Sequence, residues 1–83
     1  MNCSKLEEYI TILQTLLLHG PISLTEIESL IRIERFELIN DLAFLLEQNA
    51  VTKKFSDESS AYVAAPLGVR LVKYFGLNPL MKK

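Results

Sequence analysis

The chain has 83 residues, of which 49% are hydrophobic and 23% charged, so its composition is that of a small globular protein and not of a disordered one. Its net charge of −1 provides no long-range attraction towards nucleic acid, so any basic footprint must be local. The single cysteine, Cys3, excludes a disulfide within the chain and is typical of a reducing compartment. No apolar run reaches the roughly 18 residues of a membrane span, and no signal-peptide pattern is present. We therefore expect one cytoplasmic domain over residues 1–83.

The first predicted helix begins at a capping box formed by Ser4 and Glu7. Apolar residues then recur at helical spacing, namely Leu6, Tyr9, Ile10, Leu13, Leu16 and Leu17. Gly20 and the following proline are typical of a helix end. Ile22 remains as a short extended link. Two further apolar residues, Ile12 and Leu18, fall outside the main stripe and are expected on the surface.

A second capping box, Ser23 with Glu26, predicts a short second helix. Its inward-facing residues are expected to be Ile27, Leu30 and Ile31. Ile33 fills the corner before a third helix from about Arg35 to Gln48, and Asn49 suits its left-handed end. The third helix has an inner row of Leu38, Leu42 and Leu45. It also has an outer row of Phe36, Ile39 and Ala43, and this row needs a separate explanation.

The periodicity then changes from helix to strand. Residues 51–55 and 61–65 predict two strands, joined by a polar loop that carries Asp57 and Glu58. Pro66 suits the first turn of a fourth helix, which ends at Gly76. The apolar residues that indicate this helix are Leu67, Leu71, Val72 and Phe75.

This order of elements and three short sequences resemble the winged helix-turn-helix superfamily, in particular small prokaryotic and archaeal transcriptional regulators. The matching sequences are Leu24-Thr25-Glu26-Ile27, Leu45-Leu46-Glu47-Gln48-Asn49-Ala50-Val51 and Tyr62-Val63-Ala64-Ala65-Pro66-Leu67-Gly68. The resemblance implies a mainly α fold with a small β-hairpin: a three-helix core, a two-stranded wing and a C-terminal helix. The helix-turn-helix would cover about 24–49, the wing about 50–65 and the last helix about 66–76.

The resemblance also implies a transcriptional regulator that binds double-stranded DNA through its third helix, as a homodimer and without a cofactor. Arginine bonds guanine and asparagine bonds adenine through paired hydrogen bonds, which makes Arg35 and Asn40 the candidate base contacts, although a place on the solvated surface explains both residues about as well. Lysines at the wing would hold phosphate oxygens, although a charged edge strand that resists aggregation explains them about as well. The candidate DNA-binding residues are Arg35, Phe36, Ile39, Asn40, Ala43, Lys53 and Lys54.

Departures from the regulator pattern support a second hypothesis. Glu34 and Glu37 near the start of the third helix, and Asp57 and Glu58 at the wing tip, would repel phosphates. The apolar outer row of the third helix would instead suit a protein partner. The alternative is therefore a winged-helix interaction module, or a subunit of a larger transcription-related complex.

Catalytic and metal-binding roles are not expected from this sequence. Cys3 and His19 are the only thiol and imidazole, and one helix would hold them over about 20 Å apart, far beyond the reach of a nucleophile and its base. One cysteine and one histidine do not make a structural zinc site within a chain. The apolar residues outside the predicted core, Ile12 and Leu18 among them, predict self-association instead.

Overall fold

The computed structural model describes residues 5–55 and 60–76. The elements are α1 (Lys5–His19), α2 (Leu24–Leu30), α3 (Arg35–Glu47), β1 (Val51–Phe55), β2 (Ser60–Ala64) and α4 (Pro66–Gly76). This order confirms the predicted fold class, mainly helical with a two-stranded antiparallel wing. None of the helices within the described ranges is both long and apolar enough to cross a membrane.

The helix ends follow the predicted local signals. Gly20 ends α1 with a φ of +75°, and its N–H donates to the Leu16 carbonyl oxygen over 2.9 Å. The second capping box is present: Ser23 Oγ accepts from the Glu26 N–H, and a Glu26 carboxylate oxygen accepts from the Ser23 N–H. The first capping box, predicted at Ser4, lies outside the described residues.

The end of α3 directs the chain into the wing. Asn49 adopts the predicted left-handed conformation, with a φ of 65°. The helix ends at Glu47, one residue before the predicted end. The N–H of Ala50 then donates to the Leu45 carbonyl oxygen over 2.9 Å, which turns the chain sharply. Ala50 and Val51 are buried, so the wing begins inside the core.

The wing is attached to the rest of the domain by a short extended segment. Strands β1 and β2 are antiparallel, in a register that runs from Val51 opposite Ala64 to Phe55 opposite Ser60. The predicted extended link at Ile22 forms two backbone hydrogen bonds with Tyr62, of 3.1 and 2.7 Å. The link between α1 and α2 therefore holds the inner strand of the wing. The predicted tip residues Asp57 and Glu58 lie outside the described residues.

The core surrounds α1, which packs against α2, α3, β2 and α4. Because α1 has neighbours on so many sides, Ile12 is fully buried, and the prediction that it lies on the surface is wrong. Leu30 was predicted to face inward and is 49% exposed, since α2 ends there and Ile31 takes the buried place. The rest of the predicted centre is confirmed: the buried cluster includes Leu13, Leu16, Ile27, Leu38, Leu42 and Leu45.

Gly68 lets α4 lie directly against the start of the wing. A Cβ atom at this position would overlap the carbonyl oxygen of Ala50 and lie 2.8 Å from Leu13 Cδ2. The same carbonyl oxygen accepts from the Ala65 N–H over 2.9 Å. A side chain at residue 68 would therefore separate α4 from both α1 and the wing.

Candidate nucleic-acid interface

Helix α3 presents one buried and one exposed face. Its inner row of Leu38, Leu42 and Leu45 is at most 2% exposed. Phe36 is 73% and Ile39 is 40% exposed, and Asn40 and Ala43 are also exposed. The predicted outer row is therefore present on the surface as a mixed apolar and polar strip. Such a strip suits thymine methyl groups and sugar faces, or another protein.

Arg35, the first residue of α3, is paired with a residue of α2. Its Nη1 donates to both carboxylate oxygens of Glu28, over 2.8 and 2.7 Å. The Arg35 side chain is 59% exposed, so the pair lies at the edge of the α3 strip. The sequence analysis did not find Glu28, because the contact depends on how α2 and α3 cross.

A second set of charges joins the first turn of α1 to α3. The Nζ atom of Lys5 lies 2.6 Å from a Glu37 oxygen, 2.7 Å from Asp41 Oδ1 and 3.2 Å from a Glu8 oxygen. Asp41 is only 1% exposed, although it is a charged residue. The sequence analysis missed this cluster, although Asp41 lies three residues after Leu38 and so falls on the inner face. Because Lys5 pairs with Glu37, it offsets part of the negative charge near the α3 strip.

Burial changes how the carboxylates of this cluster hold protons. Burial raises the pKa of Asp41, hydrogen bonding to the Glu8 carboxylate adds to this rise, and Lys5 opposes it, so that the pKa is about 6. The same hydrogen bond lowers the pKa of Glu8, and Lys5 acts in the same direction. The three acids hold the pKa of Lys5 above its ordinary value. Asp41 Oδ2 is buried and has no hydrogen-bond partner among the described residues.

The geometry of the cluster also resembles a cation site. Single carboxylate oxygens of Glu8, Glu37 and Asp41 lie within 4.8 Å of one another. The Lys5 ammonium group lies within hydrogen-bond distance of all three residues. It therefore supplies the positive charge that a metal ion would bring. The cluster acts as an ion-pair network that fixes α1 against α3.

The two wing lysines face opposite sides of β1, since neighbouring residues of a strand alternate. Lys53 is exposed, and its Nζ lies 5.4 Å from the Tyr62 ring centre and 5.6 Å from that of Phe55. These distances are typical of cation–π contacts. Lys54 is exposed on the other side of the strand. The two ammonium groups therefore lie on opposite sides of the strand.

A separate apolar groove of about 280 Å³ lies between α1, α3 and α4. Tyr9 and Phe44 line it with stacked rings whose centres are 4.9 Å apart. Leu6, Phe44 and Leu67 border it and are each about 40% exposed. The sequence alone did not predict this groove, because Leu6 and Tyr9 belong to the main apolar stripe of α1.

The described helices, the wing and the close approach of α4 define a winged helix-turn-helix protein, as the sequence resemblance predicted. No protein-family model and no curated protein sequence matches the chain significantly. Among solved structures, the chain is similar to Staphylococcus aureus MarR in complex with salicylate and kanamycin, with 26% identity and a TM-score of 0.74. That match covers 84% of this chain and 49% of the MarR chain, so this chain spans about half the length of MarR.

A second solved structure supports the fold over nearly the whole chain. It is a possible transcriptional regulator for arsenical resistance, 17% identical, with a TM-score of 0.61. The match covers 96% of this chain and 93% of that regulator. The structural neighbours of the protein are thus transcriptional regulators with a winged helix-turn-helix fold.

Proposed function

We propose that the protein is a transcriptional regulator that binds double-stranded DNA by placing α3 in the major groove. The observation that carries this proposal is the similarity to MarR, at 26% identity and a TM-score of 0.74 over 84% of the chain. The major groove is wide enough to accept an α-helix, and α3 has an exposed face along its length. The similarity covers 49% of the MarR chain, so the proposal rests on that part of MarR alone.

The residues of the α3 strip then have separate roles. Arg35 and Asn40 contact base edges, because their side chains form the paired hydrogen bonds that distinguish guanine and adenine. Phe36, Ile39 and Ala43 contact thymine methyl groups and sugars. These roles are proposals for residues that the fold places on one helix.

The wing completes the proposed interface through phosphate contacts. Lys53 and Lys54 bind phosphate oxygens on either side of β1, which positions the protein without reading sequence. Glu34 and Glu37 oppose this attraction, although Lys5 partly offsets Glu37. Because the two lysines attract phosphates and the two glutamates repel them, we expect one protomer to bind DNA with moderate affinity. A two-fold dimer, which binds two half-sites, then provides the rest.

The proposal is tested by the salt dependence of binding to a random duplex. On a random duplex, which offers Arg35 no particular guanine, Arg35 contacts a phosphate as Lys53 and Lys54 do, so a dimer makes about six phosphate contacts. The slope of log affinity against log salt is then about −5, from roughly −0.9 per phosphate. Lys54→Ala should make the slope shallower by about 2 in the dimer, because each protomer loses one contact. A wild-type protein with no measurable binding at about 50 mM salt would overturn the proposal.

A second candidate function is a winged-helix interaction module, and the exposure of Phe36 favours it. A phenylalanine that is 73% exposed at the start of α3 is a typical anchor for a protein interface. Phe36→Glu should then abolish binding of a protein partner. In this case neither the wild type nor the variant binds duplex DNA. In the DNA-binding hypothesis the same variant loses duplex affinity instead.

A further inference from the structure

Arg35 is held at only one end of its guanidinium group. Both hydrogen bonds to Glu28 come from Nη1, over 2.8 and 2.7 Å. Within residues 5–55 and 60–76, no hydrogen bond from Nη2 or Nε is recorded. These two nitrogens form the adjoining edge of the group, and their N–H bonds are a matched pair of donors. A guanine requires such a pair for its O6 and N7 atoms.

Glu28 is well placed to fix the direction of that edge. Glu28 lies on α2, and the Ser23–Glu26 capping box stabilises the start of this helix. The preceding residue, Ile27, is fully buried and so fixes the position of α2 at Glu28. The Glu28 side chain is itself only 25% exposed. Arg35 is 59% exposed, and a long side chain in that setting loses conformational freedom when it binds. A carboxylate that restrains it beforehand removes part of this loss.

We propose that Glu28 is a positioning residue for base recognition, which holds Nη1 of Arg35 so that the Nη2 and Nε edge faces a guanine. This inference rests on the proposed DNA-binding function, because it requires α3 to enter the groove. Glu28 has a second effect, since its charge repels phosphates whatever the sequence. The residue therefore increases the preference for one base and decreases affinity for random duplex. If Glu28 only competed with DNA for Arg35, it would decrease both the preference for one base and the affinity for random duplex.

The positioning of Arg35 and the repulsion of phosphates by Glu28 can be separated by experiment. Both the preference for one base and the affinity for random duplex are measured in the same variants. The wild-type protein is used to select a preferred duplex from a randomised pool, and Kd is measured for that duplex and for single-base changes. Arg35→Ala should lose about five- to hundred-fold of preference at one guanine. Glu28→Ala should lose roughly two- to ten-fold at the same guanine, because Arg35 stays but is less ordered. Its Kd for random duplex should be unchanged or lower.

Two further variants control for charge and for the hydrogen bond. Glu34 is exposed, precedes Arg35, and makes no capping hydrogen bond with its side chain. Glu34→Ala removes the same charge nearby and should keep the guanine preference. Glu28→Gln keeps an oxygen that accepts from Nη1, so its preference should lie between those of the wild type and Glu28→Ala.

The outcomes distinguish this inference from the proposed function. If the wild type binds duplex and Glu28→Ala keeps its preference, or binds the preferred duplex more tightly, Glu28 does not position Arg35. Loss of preference at a different base from Arg35→Ala would overturn the inference in the same way. If the wild type binds no duplex, the proposed function fails and the inference falls with it.

Discussion

At the scale of single residues, the most consequential side chain outside the α3 strip is Asp41. It is only 1% exposed, and it bonds the Lys5 ammonium group over 2.7 Å. Burial opposes its ionisation, so its pKa is raised to about 6 from an ordinary value of 3.8. The pair also joins residues 36 positions apart, which makes it part of the attachment between α1 and α3.

The raised pKa of Asp41 predicts that stability falls as pH rises from about 4.5 to 6. In this window the folded protein holds a proton that the unfolded chain has released, so deprotonation favours unfolding. The lowered pKa of Glu8 acts in the opposite direction, but only below its ordinary value of 4.5. We expect the free energy of unfolding to decrease by an amount on the order of 1 kcal/mol across the window. Urea denaturation at a series of pH values measures it.

Asp41→Asn should remove this pH dependence, because the amide accepts from Lys5 and donates towards Glu8 as a protonated carboxyl group does. Glu47→Gln, which changes an exposed acid at the end of α3, is the matched control and should keep it. A wild-type stability that rises steadily between pH 4.5 and 6 would contradict the assignment of the raised pKa to Asp41.

At the scale of elements, the fold was predictable because each boundary has a local signal. Gly20, Asn49 and Pro66 mark helix ends and starts by their own backbone preferences, and the structure has all three where the sequence places them. Burial on α1 was less predictable. Ile12 lies outside the main stripe of its helix, and its burial depends on how many elements surround α1.

The ion pairs between helices were harder to predict than the helices and strands themselves. The Glu28–Arg35 pair joins two helices across a turn, and the Lys5–Asp41 pair joins two helices distant in sequence. No period or motif within one helix indicates such pairs, since they require the crossing geometry. The outer row of α3 was predicted because exposure on one helix follows from its spacing alone.

Gly68 offers a direct test of how the elements fit together. Gly68→Ala should destabilise the protein by about 3 kcal/mol, the upper end for overpacking, because the new methyl group overlaps a backbone oxygen that cannot move freely. Gly20→Ala is the control: it has a positive φ but meets nothing within 4 Å, and should cost about 1 kcal/mol. Chemical denaturation of both variants gives the comparison. Equal losses in the two would show that α4 does not approach the wing as closely as described.

At the scale of the whole molecule, several large apolar side chains of the described residues are exposed. Leu18 is 82% and Tyr74 is 68% exposed, and Leu17 is 42% exposed. These residues lie on α1 and α4, away from the α3 strip in sequence. Isolated exposed apolar residues are common, but several large ones in an 83-residue chain favour a further interface. The exposure of Leu18 supports the predicted two-fold dimer, whereas the buried Ile12 does not contribute to it.

We predict that the protein self-associates through the exposed apolar side chains of α1 and α4. Sedimentation at tens of micromolar should give the mass of a dimer, and Leu18→Glu should shift the protein towards the monomer by placing an unpaired charge in the contact. Phe55→Glu is the control, since Phe55 is 77% exposed on the wing and should not affect the dimer. A wild-type protein that sediments as a monomer at these concentrations would rule out the dimer.

We propose that α3 and the wing together form the surface that binds DNA. An NMR titration of the labelled protein with a short random duplex tests this surface, because each backbone amide reports its own environment. We expect shift changes to concentrate at Arg35, Phe36, Ile39, Asn40 and Ala43, with further changes at Lys53 and Lys54. Changes confined to α1 and α4, or no changes at duplex concentrations of about 1 mM and low salt, would contradict it.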